Sequence, residues 1–512
     1  MKNKKEARLH QKEAREIMQL ISKGIINLPT GTGKSFIQTL TTIDNLMNGG
    51  VQVILSPRIL LADQLLHEIR ADLEAEKIDC QYLIVHSGLT EDTRELSILK
   101  DLAHRGMIHR DMISTTNSKE IKKQYDKAVR ECVPLIISST YHSAVRLIQA
   151  GIPISVIHCD EAHYLIQPEF NWIASDNFFS RKKYFYTATM KHTLSDKGRG
   201  MNNKELFGEV IYSKLPIEMI YAGEILRPRM HLIDIPVDEN LTDDNTLNMD
   251  VNAIISAFTQ HRSVCNIAPK ILITTKGSEH QNDIVNHIRF QEFLSTRPNL
   301  KVFDITSEYK PRINNIIVKR SEFFKQLRNM TDTDEAIILH IRILTEGIDV
   351  PGITGVMLMN NPTLSQFLQN LGRATRLHKI DRIKLYAGTM KPDELKKFVK
   401  PYAYVIVPKY GFLGAEINQG VRTMIQALRK YDFNPIEHII MADSLGHVEP
   451  VELGSLLEKD KRAQSILNEF VEMINEIEAE EIADELDMEE FSFVNKLNSM
   501  SDNELIELAK IF

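Results

Sequence analysis

Short apolar runs alternate with amphipathic stretches along the first part of the chain. The apolar runs predict buried strands at 24–28, 51–55, 82–85, 135–138, 156–159 and 184–186. Apolar residues at helical spacing follow the first two runs, from Lys34 to Met47 and from Arg58 to Arg70. An alternation of strand and helix is typical of a parallel sheet covered by helices. The pattern therefore predicts an α/β lobe in this part of the chain.

The same alternation returns later in the sequence. It predicts further strands at 270–274, 301–305, 336–341, 355–359 and 404–407. The polar, acidic stretch 234–250 lies between the two sets and is expected to form a connection or surface loop. A helical pattern follows from about Ala415. We therefore predict an α/β fold with two parallel-sheet lobes, over 1–225 and 226–412, and a mostly helical C-terminal extension over 413–512.

The composition is that of a soluble globular protein with two or three domains. The chain has 512 residues, of which 43% are hydrophobic and 26% are charged, and this length exceeds what one core normally serves. The four cysteines form no C-x-x-C pair, so a zinc site or a disulfide framework is not expected. No apolar run approaches the roughly 20 residues that span a bilayer, and none follows the basic N-terminus. We expect a protein of the cytoplasm, in a bacterial or phage-infected cell, with no membrane contact.

Charge is distributed unevenly along the chain. The net charge is −7, but residues 453–512 carry 16 acidic and five basic side chains, and the remainder has a net charge of +4. A weakly basic body with an acidic tail is compatible with phosphate binding and does not require it. With one Trp and 7% aromatic residues, a module that binds nucleic acid mainly by base stacking is not expected.

A glycine-rich turn follows the first predicted strand and begins a helix. It contains Leu28-Pro29-Thr30-Gly31-Thr32-Gly33-Lys34-Ser35. Glycines let the backbone curl so that N–H groups converge on a phosphate, and the helix N-terminus adds a favourable dipole. Lys34 would reach the β- and γ-phosphates of ATP, and the Ser35 hydroxyl would bind Mg²⁺. The segment alone does not distinguish a kinase, a GTPase and a motor, and its Leu28 replaces the first glycine of the usual pattern.

Two adjacent carboxylates follow the predicted strand at 156–159. A parallel sheet places its active-site residues at such strand ends. Asp160 is suited to holding Mg²⁺ through water, and Glu161 is suited to orienting and polarising the attacking water. Together with the phosphate loop, this pair indicates an ATP-hydrolysing site.

The segment Asp160-Glu161-Ala162-His163 resembles the DEAH form of the second motif of superfamily 2 helicases, and other segments resemble that family's motifs in order across most of the chain. The resemblance implies two tandem RecA-like lobes that bind ATP and Mg²⁺ between them. It implies that Gln11 recognises adenine and that Thr187 and Thr189, in Thr187-Ala188-Thr189, link hydrolysis to lobe movement. His163 would couple the ATP site to these threonines, and a plain structural hydrogen bond is the alternative.

Two segments of the second lobe resemble later motifs of the same family. Residues 345–351, with the sequence TEGIDVP, resemble motif five. The resemblance implies that Gly347 and Asp349 contact the nucleotide and that Thr345 contacts the nucleic-acid backbone. Residues 369–376, QNLGRATR, match the Q-x-x-G-R-x-x-R pattern of motif six.

The residues of motif six also indicate a function through their spacing and chemistry, apart from the resemblance. Spacings of four and three residues would place Gln369, Arg373 and Arg376 on one face of a helix. Guanidinium groups form paired, charge-assisted hydrogen bonds with phosphate oxygens, so the two arginines are suited to the charge that develops on a γ-phosphate. The expected catalytic set therefore spans both lobes, with Lys34, Asp160 and Glu161 on the first lobe and these three residues on the second.

Further residues are expected to touch nucleic acid by resemblance. Arg58, in Ser56-Pro57-Arg58, and Thr140 would contact backbone phosphates from the first lobe, and Thr345 would do so from the second. Contacts of this kind position a strand without reading its sequence and depend strongly on salt. For each threonine, an ordinary helix cap or a turn hydrogen bond is the alternative.

The sequence therefore predicts an ATP-dependent helicase or translocase that acts on DNA rather than RNA and has little sequence specificity. A double-stranded DNA translocase, an annealing ATPase that does not unwind, and an RNA helicase remain open. A protein-translocating ATPase would need a large insertion in the first lobe, for which there is no room. Apolar residues at helical spacing from Ile466 to Ile477 predict a helix that packs on the second lobe, and the alternatives are docking of a protein partner or self-inhibition by the acidic residues beside it.

Overall fold

The computed structural model describes residues 6–46, 50–86, 113–193, 197–235, 243–306, 308–341, 350, 352–359, 364–410, 422–426, 428–429, 439–441, 451–452, 468 and 471–477. These residues form two sheets flanked by helices, one from the N-terminal part of the chain and one from the remainder. The prediction of two α/β lobes is confirmed.

The first sheet is parallel throughout the described residues. Its strands are β1 Lys23–Asn27, β2 Val51–Ser56, β3 Gln81–Val85, β4 Ile113–Ser114, β5 Leu135–Thr140, β6 Val156–Cys159, β7 Lys182–Thr187 and β8 Glu209–Ser213. Their order across the sheet is β4-β3-β5-β2-β6-β7-β1-β8. Because only β7 separates β1 from β6, the two segments that follow these strands lie at one edge of the sheet.

Helices cover both faces of this sheet. They are α1 Leu9–Leu20, α2 Lys34–Asp44, α3 Ile59–Ala75, α4 Ser118–Glu131, α5 Val145–Ala150 and α6 Lys204–Phe207. Every residue of β2 and β5 is buried, as expected for strands covered on both faces. This is why the first-lobe strands appear in the sequence as continuous apolar runs.

The second sheet is mixed. Its strands are β9 Arg227–Ile235, β10 Lys270–Thr274, β11 Lys301–Ile305, β12 Arg312–Ile313, β13 Ile316–Ile317, β14 Ala336–His340, β15 Gly355–Leu358, β16 Tyr402–Tyr410, β17 Ile439–Met441 and β18 Val451–Glu452. Their order is β13-β12-β11-β14-β10-β15-β16-β9-β17-β18. The hairpins β12–β13 and β17–β18 are antiparallel additions at opposite edges of a parallel centre.

The helices of the second lobe lie on both faces of this sheet. They are α7 Pro216–Tyr221, α8 Asp243–Val264, α9 Ser278–Asn286, α10 Ile288–Ser295, α11 Arg320–Arg328, α12 Leu364–Ala374 and α13 Lys379–Tyr386. One core contains α12 and the C-terminal residue Ile477, and the other contains α8. The helix predicted to end at Ile477 therefore packs on the second lobe in its described part, 471–477.

The interpretation of 234–250 as a connection is wrong for part of that stretch. Strand β9 continues to Ile235, and α8 begins at Asp243. Acidic residues are favourable in the first turn of a helix, so the polar opening of α8 resembles a loop until Val251 and Ile254 enter the core.

The chain leaves the first sheet at Ser213 and enters the second at Arg227. Between them, Met219, Ile220 and Ile225 are buried in the core of the second lobe. Helix α7 is therefore packed with the second lobe, while the division of the chain at 225/226 and 412/413 stays a prediction.

Candidate nucleotide site

The phosphate loop joins β1 to α2. Gly31 and Gly33 have φ values of 89° and 85°, in the left-handed region that favours glycine. A Cβ atom on Gly33 would lie 2.6 Å from Nε2 of Gln11. The loop therefore needs glycine at both positions. Gly31 is needed for its backbone conformation, and Gly33 is needed both for its conformation and for the close approach of Gln11. Gly33 is also the N-cap of the helix that begins at Lys34.

Lys34 is folded against its own loop. Its Nζ donates hydrogen bonds to the carbonyl oxygens of Leu28 and Pro29, at 3.0 and 3.4 Å. Burial lowers the pKa of its ammonium group, and the nearby carboxylates of Glu161 and Asp160 oppose that shift. The two carbonyl acceptors are neutral, and an ammonium group forms stronger hydrogen bonds with charged acceptors. The phosphate oxygens of ATP could therefore replace them.

Asp160 and Glu161 follow β6 at the same edge of the sheet. Gln38 of α2 donates a hydrogen bond to Oδ1 of Asp160 at 3.0 Å, and the Tyr141 hydroxyl donates to the Asp160 carbonyl oxygen. Burial, with a contribution from Glu161, raises the pKa of the Asp160 carboxyl to about 7. Burial also raises the pKa of Glu161, whose φ of 48° turns the chain sharply after the strand.

His163 connects the carboxylates to the end of β7. Its Nδ1 atom lies 3.5 Å from a Glu161 carboxylate oxygen and 3.3 Å from the Thr187 hydroxyl. The hydroxyl of Thr187 in turn donates to the carbonyl oxygen of Thr189 and accepts from its N–H. Burial lowers the pKa of His163 to about 3, so the ring is neutral near pH 7. These contacts form a continuous polar path from Glu161 to Thr189.

Gln11 is buried beside the phosphate loop. Its Nε2 donates to the carbonyl oxygens of Thr32 and Gly33, at 3.2 and 3.3 Å. Its Oε1 accepts from the backbone N–H of Arg8 at 3.0 Å. The amide is therefore fixed at both ends, next to the loop that is expected to bind phosphate.

Helix α12 of the second lobe reaches the phosphate loop. A Cβ atom on Gly372 would lie 2.4 Å from both Cβ and Cγ2 of Thr30. A Cβ atom on Gly31 would lie 3.4 Å from the Gly372 carbonyl oxygen and 3.6 Å from Cγ of Arg376. The two sequence segments predicted to form the halves of the site are therefore in direct contact.

The expectation that Gln369, Arg373 and Arg376 share one helix face is only partly correct. Helix α12 ends at Ala374, so Arg376 lies in the turn beyond it. Arg373 is 7% exposed, and the other two side chains are half-buried. Lys400 donates hydrogen bonds to the carbonyl oxygens of Ala374 and Arg376. These bonds replace the helical ones, so the helix can end here without leaving the two carbonyl oxygens unpaired.

Five further residues were predicted to contact nucleotide or nucleic acid. Gly347, Asp349 and Thr345 lie outside the described residues. Arg58 is exposed at the start of α3. Thr140 is 5% exposed, and its hydroxyl accepts a hydrogen bond from the Ser143 N–H at 3.3 Å, which is the turn hydrogen bond that the sequence left open as an alternative.

Three supporting side chains were missed by sequence reasoning. Gln38 and Tyr141 bind Asp160, and Lys400 holds the end of α12. Gln38 lies one helical turn after Lys34 and so had a weak positional signal. Tyr141 and Lys400 had none, because only the folded chain brings them to their partners.

The described residues suit Mg²⁺ and ATP phosphates. Asp160 offers a carboxylate held by an amide, and Ser35 lies in the first turn of α2 after a cradle that side chains would obstruct. Mg²⁺ commonly takes one or two protein oxygens and completes its shell with phosphates and water. The residues present therefore fit the group that the sequence implies.

Comparison with known families agrees with this geometry. The profile of the family described as "Type III restriction enzyme, res subunit" matches residues 4–192. These residues are a superfamily 2 helicase-like domain. The matched range of this helicase-like domain contains Gln11, the phosphate loop, the adjacent carboxylates and Thr187-Ala188-Thr189. No curated protein sequence is significantly similar to the chain.

Solved structures extend the similarity beyond the matched domain. The ATP-dependent Type ISP restriction-modification enzyme LlaBIII, bound to DNA, aligns with a TM-score of 0.64 at 17% identity, over 88% of this chain and 32% of that one. A nuclease-deletion mutant of the Type ISP enzyme LlaGI, in complex with a DNA substrate mimic, aligns with a TM-score of 0.55 at 18% identity, over 83% and 29% of the two chains.

At these identities the similarity shows the fold, which is that of tandem RecA-like lobes. The chain spans about a third of the length of these two enzymes. Among the described residues, no helix combines the length and apolar character needed to cross a membrane.

Proposed function

We propose that this protein is an ATP-dependent nucleic-acid motor, a helicase or translocase that hydrolyses ATP between its two lobes. The observation that carries the proposal is the contact of Gly372 with Thr30, which brings α12 and Arg376, just beyond its end, beside the phosphate loop. The phosphate loop belongs to the first lobe, whereas Arg373 and Arg376 belong to the second. Hydrolysis would therefore require closure, and closure is a movement that a motor can use.

Each group in the site has a chemical role in this proposal. Lys34 would exchange its two carbonyl acceptors for β- and γ-phosphate oxygens. Glu161 would accept a proton from the attacking water, for which a carboxylate with a raised pKa is suited. Arg373 and Arg376, oriented with Gln369, would stabilise charge on the γ-phosphate. Mg²⁺, held by Ser35 and Asp160, would neutralise phosphate charge.

Release of phosphate would change the contacts of Glu161, and the polar contacts from Glu161 to Thr189 would transmit this change. His163 lies within 3.5 Å of both Glu161 and Thr187. Any loss of the γ-phosphate that shifts Glu161 would change the hydrogen bonds of this buried, neutral histidine. We propose this path as the link between hydrolysis and lobe movement.

DNA is the proposed substrate. Two structures of similar fold are of enzymes bound to DNA or to a DNA substrate mimic, and the chain outside its acidic tail is weakly basic. Arg58 and Thr345 are the proposed backbone contacts, while the turn hydrogen bond from the Ser143 N–H to the Thr140 hydroxyl disfavours the same role for Thr140. The four cysteines are free, which suits a reducing cytoplasm.

The deciding experiment measures ATP hydrolysis with duplex DNA, single-stranded DNA, forked DNA and RNA in turn. We expect DNA to stimulate ATP hydrolysis. If no nucleic acid stimulated hydrolysis, the proposal would be overturned. Strand displacement on the forked substrate separates a helicase from a translocase or an annealing ATPase. Stronger stimulation by RNA would favour the RNA helicase.

Two variants test whether the site is shared between the lobes. Lys34→Ala removes a ligand of the phosphates from the first lobe, and Arg376→Ala removes one from the second. Each is expected to lower turnover by a factor of about 10² to 10³, the usual effect of losing one group that stabilises a transition state. Normal turnover by Arg376→Ala would exclude the composite site while leaving a one-lobe ATPase possible.

A further inference from the structure

A buried ion pair joins the two lobes at the rim of the candidate nucleotide site. Nη1 of Arg8 donates a hydrogen bond to Oε2 of Glu224 at 2.9 Å, and the two side chains are 18% and 9% exposed. Arg8 caps α1, which is anchored in the first-lobe core by Ala14 and Met18. Glu224 lies between Ile220 and Ile225, both buried in the second-lobe core. The pair can therefore persist only while the lobes are together.

A third side chain completes this contact from the second lobe. The hydroxyl of Tyr386, at the end of α13, donates to Oε2 of Glu224 at 3.2 Å. A single carboxylate oxygen thus accepts from an arginine of the first lobe and from a tyrosine of the second. Charge-assisted hydrogen bonds of this kind are stronger than neutral ones and are costly to break when buried.

The charges around Glu224 are mostly positive. Burial, followed by the nearby Arg8, lowers the pKa of the Arg382 guanidinium, and Arg376 contributes in the same direction. His10 lies 3.8 Å from Oε1 of Glu224, but burial lowers the pKa of its ring, so it adds little positive charge near pH 7. Glu224 is therefore the counter-charge that lets the arginines of the two lobes approach one another.

Arg8 also determines where Gln11 lies. The backbone N–H of Arg8 donates to Oε1 of Gln11 at 3.0 Å, and Nε2 of Gln11 binds the loop carbonyls. Nη2 of Arg8 would lie only 3.4 Å from a Cβ atom on Gly33. If Arg8 loses its anchor, the first turn of α1 is less restrained, and the amide of Gln11 is then held firmly only by the loop carbonyls.

We propose that Glu224 is a positioning residue of the second lobe that, by holding Arg8 when the lobes close, fixes Gln11 and makes recognition of the adenine base depend on closure. This inference rests on the proposed ATPase function, and on the contact with adenine that the sequence resemblance implies for Gln11, and it deepens that function. In the open protein the first lobe would grip mainly phosphates. Selection of the base would be completed only in the closed protein.

The test is a double-mutant cycle read out as base selectivity. Arg8→Gln, Glu224→Gln and the double variant are compared by the affinities with which ATP and GTP displace a fluorescent ADP analogue. We expect each single variant to lower the preference for ATP over GTP about tenfold, with GTP affinity little changed, and the double variant to be no worse than either single one. Independent, additive losses, or equal losses for both nucleotides, would overturn the proposal.

Two further variants separate positioning from general damage. Tyr386→Phe removes only a hydroxyl from a side chain that is half-exposed to solvent, so the variant should fold normally. Its preference for ATP over GTP should fall, but by less than in Glu224→Gln. Asp126→Asn breaks an exposed ion pair with Lys122 on α4 and should leave selectivity unchanged. If the wild-type protein hydrolyses ATP with DNA stimulation but Glu224→Gln keeps full selectivity, the proposed function stands and the positioning role fails.

Discussion

The ammonium group of Lys400 lies under the end of α12, and the residue is 4% exposed. It donates to the carbonyl oxygens of Ala374 and Arg376, at 2.7 and 3.1 Å. The buried carboxylate of Asp381 holds the same segment by accepting from the N–H groups of Val399 and Lys400. A side chain that lies outside every motif therefore sets the position of a proposed catalytic arginine.

This buried lysine predicts a pH dependence of stability. Burial lowers its pKa from 10.5 to about 7. Between these values the unfolded chain binds more protons than the folded one, so the contribution of Lys400 to the free energy of unfolding rises as the pH increases from about 7 towards 10.5. Urea unfolding at about pH 7 and about pH 9 should show this rise in the wild type and not in Lys400→Met.

The matched control is Lys397→Met, three residues away, where the lysine is exposed and pairs with Glu394. Its stability should change with pH as the wild type does. If Lys400→Met also kept the wild-type change, the lysine would be charged in the folded protein throughout this range. A further negatively charged group would then be needed at the end of α12 to compensate the buried ammonium group of Lys400.

At the scale of elements, α12 packs directly on the phosphate loop and so joins the two lobes. Gly372→Ala would place a methyl group 2.4 Å from the Cβ and Cγ2 atoms of Thr30, and atoms cannot approach so closely. We expect this variant to bind ATP through the first lobe but to hydrolyse it about 10²-fold more slowly, because the arginines are held away from the γ-phosphate. Steady-state kinetics beside nucleotide binding separates the two effects.

The clash also predicts its own suppressor. Thr30→Gly removes both atoms that the new methyl group would meet, so the double variant should regain part of the lost turnover. Gly277→Ala is a control, because no atom lies within 4 Å of the added Cβ and its backbone is extended. Equal turnover by Gly372→Ala and the wild type would show that hydrolysis does not need the close approach of α12.

The elements that could be predicted from sequence are those that local chemistry specifies. Strands β6 and β10 begin and end at the predicted residues, because strands covered on both faces are predominantly apolar. Strand β9 was missed. It contains Arg227, Pro228 and Arg229, and its pairing with β16 along nine residues is a tertiary contact.

The same distinction applies to the site. The phosphate loop and the carboxylate pair were visible because their chemistry demands fixed residue types at fixed spacing. Glu224, Tyr386 and Lys400 were not visible, because their partners are more than 20 residues away in the sequence. Arg376 was predicted at the site but placed on the wrong element, since the end of α12 depends on Lys400.

At the scale of the whole molecule, the described part of the C-terminal region, 471–477, packs on the second lobe. Ile477 is fully buried in the same core as Met424 and Ile425, and Glu476 forms an ion pair with Arg422 at 3.2 Å. Ile477→Ala should lower the free energy of unfolding by about 2–5 kcal/mol, as for other large-to-small core changes. Val471→Ala, at a position that is 38% exposed, should have a much smaller effect in the same urea titration.

This packing changes how a truncation would be interpreted. Removal of the chain after Gly454 would take away the acidic tail and also Ile477. A gain or loss of ATPase activity would then mix any self-inhibition with damage to the second-lobe core. Neutralising acidic residues from Glu478 onward while keeping Ile477 is the cleaner test, and unchanged DNA-stimulated activity in that variant would exclude self-inhibition by charge.

The two-lobe arrangement also predicts how DNA affinity responds to salt. Backbone contacts release counterions, so the slope of log Kd against log salt concentration reports how many phosphates are neutralised. If both lobes grip the strand only when closed around nucleotide, the slope for single-stranded DNA should be steeper, by roughly one or more phosphates, with a non-hydrolysable ATP analogue than without it.

Fluorescence anisotropy over a range of salt concentrations measures both slopes. Arg376→Ala is the informative variant, because it is expected to weaken closure around nucleotide and so to remove the difference between them. Two strands of unrelated sequence should give the same slopes, because the contacts are to the backbone. Slopes that are identical with and without nucleotide in the wild type would mean that the grip on DNA does not follow closure, and the cycle of closure and release could not then move the strand.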